Sequence, residues 1–137
     1  MENTDETKSV ISQPIVSTDE KPLILVAEDN DSNYLLVSIM LKKEYTIIRA
    51  INGIEAIKLF EEQHPRLILM DMKMPKMDGL EATAKIREQD KKLPIIALTA
   101  FAFDSDKEKA MKAGCNGFLT KPVNAEELRL MIRCYVK

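Results

Sequence analysis

The stretch Leu67-Ile68-Leu69-Met70-Asp71-Met72-Lys73-Met74-Pro75-Lys76-Met77-Asp78-Gly79 decides how this chain is read. Four consecutive apolar residues bounded by turn signals suit a strand covered on both faces. The run stops at a carboxylate and enters a loop stiffened by Pro75. Asp78 with Glu81 then has the spacing of a helix capping box. A buried strand, a short loop and a capped helix make half of a βαβ unit.

Working outward, the same design recurs. Leu23-Ile24-Leu25-Val26-Ala27 ends in Glu28 and Asp29, Ile95-Ile96-Ala97-Leu98 ends in Thr99, and Phe118-Leu119 lies just before Lys121. Strands near 22–28, 45–50, 66–71, 94–99 and 116–119 alternate with helices near 31–43, 53–63, 79–90, 105–113 and 125–136. Asn52 with Glu55, Ser105 with Glu108 and Asn124 with Glu127 give three further capping-box starts. In the last helix Leu128, Met131, Ile132 and Tyr135 form an apolar face, and Val123 is placed to staple onto Leu128. Such alternation predicts an α/β domain, a doubly wound five-stranded parallel sheet with helices on both faces. The second strand mixes in Thr46 and Arg49 and reads as an edge.

Parallel strands bring their carboxyl ends to one edge of the sheet, where α/β proteins bind ligands. A doubly wound sheet of order 2-1-3-4-5 would set strands one and three side by side, about 4.8 Å apart. Glu28, Asp29 and Asp71 then crowd together in a partly dry cleft. Their repulsion calls for a divalent cation, and an all-oxygen donor set suits Mg²⁺. Asp71, at the end of the most apolar strand, is the candidate nucleophile, because carboxylates attack phosphorus to form acyl phosphates. Lys121 and the Thr99 hydroxyl supply the positive charge and hydrogen bonding that phosphoryl transfer needs. Taken singly, each signal is weak: Glu28 and Asp29 suit a helix dipole, and Lys121 a surface turn. Their shared strand-end address carries the argument.

Composition narrows the function further. A chain of 137 residues, 45% hydrophobic and 31% charged, fits one domain with a real core and excludes disorder over most of its length. A net charge of −2 gives no general attraction to nucleic acid or acidic membranes, so direct nucleic-acid binding is not expected. No apolar stretch approaches the ~20 residues of a membrane span, which predicts a cytoplasmic protein. Residues 1–20 are polar without sustained periodicity and read as a disordered tail or linker before a domain at 21–137. Cys115 and Cys134 read as reduced thiols in small apolar positions. Lys107, Lys109 and Lys112 read as a solvated helix face, and His64 as an exposed loop residue at the far sheet edge. Met70, Met72, Met74 and Met77 read as adaptable packing around the active loop.

Four motifs together resemble the receiver domain of two-component response regulators over roughly residues 22–136. They are Leu25-Val26-Ala27-Glu28-Asp29-Asn30, the segment from Leu69 to Gly79, Ile96-Ala97-Leu98-Thr99-Ala100, and Gly117-Phe118-Leu119-Thr120-Lys121-Pro122. The resemblance implies a flavodoxin-like (βα)5 sandwich in which Asp71 accepts phosphate from a histidine on a partner kinase or phosphotransfer domain. It also implies that Asp29, Asp71 and the main-chain carbonyl of Lys73 bind Mg²⁺, with Glu28 helping through water. Lys121 would pair with phosphoryl oxygens, before a cis Lys121–Pro122 bond. Thr99 and Phe118 would act as the switch pair, coupling phosphorylation to the face of the fourth helix, fifth strand and fifth helix. Such a domain is a phosphoacceptor, catalysing only its own phosphorylation and dephosphorylation, and not a classical enzyme.

This chain carries Glu28-Asp29 where many relatives have two aspartates, and Phe118 where many have tyrosine. Lys73 and Phe101 would flank the path of an attacking water. The Leu98-Thr99-Ala100-Phe101-Ala102 segment is similar to receivers of hybrid sensor histidine kinases, so a kinase core in the same parent chain, the cytoplasmic part of a membrane-bound protein, is one origin; a free regulator is the other. Two competing functions remain at this level. A haloacid-dehalogenase-like phosphatase needs a second aspartate two positions after the nucleophile, where this chain has Lys73. A phosphorylation-independent pseudo-receiver would have lost one of Asp29, Asp71, Thr99 or Lys121, and all are present.

Overall fold

The computed structural model describes residues 21–100 and 103–136. The tail expected at 1–20 and the water-path residue Phe101 lie outside these described residues. The chain runs β1 (Leu23–Ala27), α1 (Asp31–Leu41), β2 (Thr46–Ala50), α2 (Gly53–Gln63), β3 (Leu67–Asp71), α3 (Gly79–Gln89), β4 (Ile95–Thr99), α4 (Asp104–Ala113), β5 (Gly117–Thr120), α5 (Ala125–Tyr135). All pairings are parallel, as the alternation of elements predicts, and the order is β2-β1-β3-β4-β5, that of the flavodoxin-like sandwich the resemblance implies.

Strand periodicity divides the core in two. Leu25, Ala27, Ile68, Met70, Ile95 and Ala97 face Ala56 and Phe60 of α2, Ala82 and Ile86 of α3, and Ala110 of α4. The alternate residues, among them Ile24, Val26, Leu67, Leu69, Ile96 and Leu98, face Val37 and Leu41 of α1 and Leu128 and Ile132 of α5. Every residue of β3 and β4 is buried, which is why those strands are apolar at consecutive positions. Burying each such Leu or Ile contributes roughly 1.5–3 kcal/mol. β2 is the half-exposed edge that its polar residues foretold.

At three of the four expected capping boxes the N-cap side chain makes its bond. Asn52, Asp78 and Asn124 accept from the amides of Glu55, Glu81 and Glu127 at 2.8, 2.9 and 3.0 Å. Ser105 does not cap α4. The backbone is still extended at Phe103, whose carbonyl accepts from Asp106 and Lys107, so α4 begins at Asp104 and Ser105 falls inside its first turn. Asn124→Ala is therefore expected to cost about 1 kcal/mol, and Ser105→Ala a few tenths at most, in urea unfolding. Cys115 is buried, but Cys134 is exposed, correcting its expected apolar setting. It follows Ile132 by two residues, a turn of about 200° away from the buried stripe of α5. Tyr135 also sits at the rim, 40% exposed, its hydroxyl donating to the Asn116 carbonyl. His64 is exposed and closes α2 in the left-handed conformation, away from the acids.

Candidate functional site

The register builds the site. Ala27 of β1 lies opposite Met70 of β3, so the next residues on each strand, Glu28 and Asp71, meet at the carboxyl edge. Asp71 pairs with Leu98, which puts Thr99 one step further along β4, and Thr99 pairs with Thr120, so Lys121 follows at the same edge. The Lys121 amide donates to the Thr99 carbonyl at 2.7 Å, tying these two side chains' backbones together. All the acids, the hydroxyl and the ammonium singled out in the sequence thus end at one sheet edge.

Glu28, Asp29 and Asp71 each offer an oxygen within 4.8 Å of the others. Glu28 and Asp71 are nearly inaccessible, at 1% and 4% exposure, whereas Asp29 is open to solvent. Lys121 Nζ bridges the buried pair, 2.8 Å from Glu28 Oε1 and 3.1 Å from Asp71 Oδ2. The other Asp71 oxygen accepts from the Lys73 amide at 3.1 Å. Glu28 Oε2 accepts from the Asn30 amide at 3.2 Å, while the Asn30 side chain caps α1 through Asn33. Glu28 therefore does more than the sequence suggested: it is half of the cradle that holds Lys121.

Electrostatics follow from this crowding. Burial, then the hydrogen-bonding contact with Glu28, pushes the Asp71 carboxyl up to about 6, against the Lys73 amide and Lys121, which hold it down. Burial alone would lower the Lys121 ammonium, but its bonds to Glu28 and Asp71 outweigh this and raise it. Three carboxylates against one ammonium leave excess negative charge, and the donors are hard oxygens. A divalent cation such as Mg²⁺ fits that donor set.

The loop after Asp71 is anchored at three points. Met72 donates to Leu98 at 2.9 Å, Gly79 to Met72 at 3.2 Å, and Gly53 to Met77 at 2.8 Å. Met70 and Met72 are core residues, and Met74 and Met77 pack against the same cluster. The Lys121–Pro122 bond is cis, in line with the resemblance. Phe118 packs partly buried against the α2-α3-α4 cluster, with Lys107 Nζ 5.5 Å from its ring centroid. Arg49, read from the sequence only as a polar edge residue, instead contacts the loop that carries Glu28 and Asp29. Its signal was a lone guanidinium one residue from the carboxyl end of the edge strand, directly after Ile47 and Ile48.

The family model of the response regulator receiver domain matches residues 24–133. The chain belongs to the response regulator receiver domain family. Receiver domains are the phosphoryl-accepting modules of two-component signalling, and membership removes the dehalogenase-like phosphatase from contention. This receiver is 39% identical over 134 residues to hybrid signal transduction histidine kinase G of Dictyostelium discoideum, matching 93% of its own length but only 4% of that kinase. It is 35% identical over 116 residues to the polar-differentiation response regulator DivK of Brucella anthropi, covering 82% of this chain and 94% of that one. Among solved structures, it resembles the receiver domain of sensor histidine kinase PA1611 from Pseudomonas aeruginosa, which has a magnesium ion coordinated in its active site cleft. The TM-score is 0.79 at 37% identity, covering 84% of this chain and 97% of that one. A second is the Saccharomyces cerevisiae receiver domain of Ssk1, solved with the histidine phosphotransfer protein Ypd1, at TM-score 0.79 and 35% identity, covering 85% and 89%. No helix among the described residues is long and apolar enough to cross a membrane.

Proposed function

We propose that residues 21–137 act as a receiver in which Asp71 takes a phosphoryl group from a phosphohistidine on a partner kinase or phosphotransfer domain, in trans or within one parent chain. The observation that carries this reading is the setting of Asp71: it ends a fully buried strand, one oxygen beside Lys121 and the other beside the Lys73 amide. One carboxylate oxygen attacks phosphorus, the phosphorus–nitrogen bond breaks, and its electron pair returns to the imidazole. With its carboxyl at about 6, Asp71 is mostly ionised at neutral pH and able to attack. Lys121 offsets the charge of the acyl phosphate, which carries nearly two negative charges, and Glu28 keeps that ammonium in place.

Asp29, Asp71 and the Lys73 carbonyl would hold Mg²⁺, with Glu28 acting through water. The ion's contribution when bound is neutralisation of phosphoryl oxygens. Thr99, at the end of β4, would then turn its hydroxyl toward the phosphate as Phe118 moves inward. That pair biases two packings of the α4-β5-α5 face, giving a switch rather than an enzyme with turnover on outside substrates. The cytoplasm is the compartment in which such a domain meets its donor. Likeness to a segment of a hybrid kinase and to a receiver solved with a phosphotransfer protein supports the choice of donor.

Incubation with acetyl phosphate and Mg²⁺, followed by intact mass measurement, tests the assignment. One hydroxylamine-labile phosphoryl group is expected on the wild type and none on Asp71→Asn. An unmodified wild type would instead favour the pseudo-receiver, and a modified Asp71→Asn would move the acceptor elsewhere.

A further inference from the structure

Arg49 belongs to none of the motifs above, yet it grips the acidic loop. Its Nε donates to the Glu28 carbonyl at 3.0 Å, and its Nη1 lies 2.8 Å from Asp31 Oδ1. The guanidinium carbon stands 4.7 Å from the centroid of the Tyr34 ring, within cation–π range. Pairing of β1 with β2 stops at Ala27 and Ala50, although the Glu28 amide still donates to Ala50 at 2.9 Å. The Glu28 carbonyl is thus just past the ladder and is held by a side chain. It is part of the planar peptide joining Glu28 to Asp29, whose orientation sets where the Asp29 side chain leaves the backbone.

We propose that Arg49 is a positioning residue for divalent-cation binding: by locking the Glu28–Asp29 peptide, it aims the Asp29 carboxylate at the ion shared with Asp71. This inference rests on the reading of Asp29 and Asp71 as ligands. Charge alone predicts the opposite sign, because a guanidinium bonded to the loop that carries Glu28 and Asp29 repels a cation and its removal would tighten binding. The two roles are therefore separable by experiment. Lysine at this position keeps the charge but lacks the planar fork that serves the carbonyl, Asp31 and the ring together.

Mg²⁺ titration by calorimetry at fixed ionic strength tests the role on wild type, Arg49→Lys, Arg49→Met and Asp31→Asn. Both Arg49 variants are expected to bind Mg²⁺ roughly tenfold more weakly, the usual cost of removing an outer-shell support. Asp31 is 93% exposed, so its ion pair is screened and Asp31→Asn should stay within about twofold. With acetyl phosphate, the Mg²⁺ concentration for half-maximal labelling should rise by the same factor while the rate at saturating Mg²⁺ stays at the wild-type value. Wild-type Mg²⁺ affinity in Arg49→Lys, or tighter binding in Arg49→Met, overturns the role. If Arg49→Met fails to fold, Arg49→Lys decides alone. A wild type that binds no Mg²⁺ and takes no phosphate refutes the underlying reading, whereas a competent wild type with an unchanged Arg49→Lys refutes only the role of Arg49.

Discussion

Lys121→Met is expected to destabilise the metal-free protein by about 3 kcal/mol at pH 8, since breaking a buried ion pair strands its partner charges. The stranded charges are Glu28 and Asp71, at 1% and 4% exposure, which Lys121 now bridges at 2.8 and 3.1 Å. Acid should relieve the loss. In the wild type the Asp71 carboxyl sits at about 6, above its ordinary 3.8, so between those values the folded state binds more protons than the unfolded one. Stability linked to Asp71 is fully present below pH ~3.8 and is lost as pH rises through about 6. Without the ammonium, which holds Asp71 down, protonation of the folded state extends to higher pH still. The gap between wild type and variant in urea unfolding should therefore be widest above pH 6 and narrow toward pH 5. Mg²⁺ at pH 8 should narrow it too. A gap that is flat from pH 5 to 8 would mean that Lys121 does not compensate Asp71.

Gly79→Ala is expected to lower stability by about 3 kcal/mol, at the upper end of overpacking costs, and to slow labelling of Asp71 by acetyl phosphate at least tenfold. A Cβ on Gly79 would collide with the Asp71 carbonyl oxygen and come within 2.8 Å of Met72 Cε and 2.9 Å of the Asp71 carbonyl carbon. The methionine methyl can swing away. The Asp71 backbone cannot do so easily, because the next amide, Met72, is bonded to Leu98 of β4. Relief must come by shifting α3 or by moving Asp71 away from Lys121 and the Lys73 amide, and the second damages phosphoryl transfer. Unfolding midpoints read the first effect and mass-resolved labelling the second. If alanine costs under about 0.5 kcal/mol and labels at the wild-type rate, the close approach of α3 to Asp71 does not constrain the site.

Much of this was legible along the chain. Leu67 to Met70 and Ile95 to Leu98 announce strands buried on both faces because helices cover both sides, and side-chain burial is a local signal once the sheet is doubly wound. Caps at Asn52, Asp78 and Asn124 were readable for a similar reason: a capping oxygen reaches an amide only three residues away. Ser105 shows the limit, since its spacing is right but the extended backbone at Phe103 starts the helix earlier. Exposure of Cys134 was likewise hidden, being set by which stripe of α5 meets the sheet.

By itself the sequence determined the alternation of strands and helices, the residues that end each strand, and hence the edge where acids, hydroxyl and ammonium gather. These depend on periodicity and nearest-neighbour chemistry, which act over a few residues. Only the tertiary structure decided that Lys121 divides itself between Glu28 and Asp71, and that Arg49 of β2 reaches the loop after β1. Those contacts join residues 50, 93 and 21 positions apart, and distance in space between such residues is set by how strands pair, which no local pattern encodes.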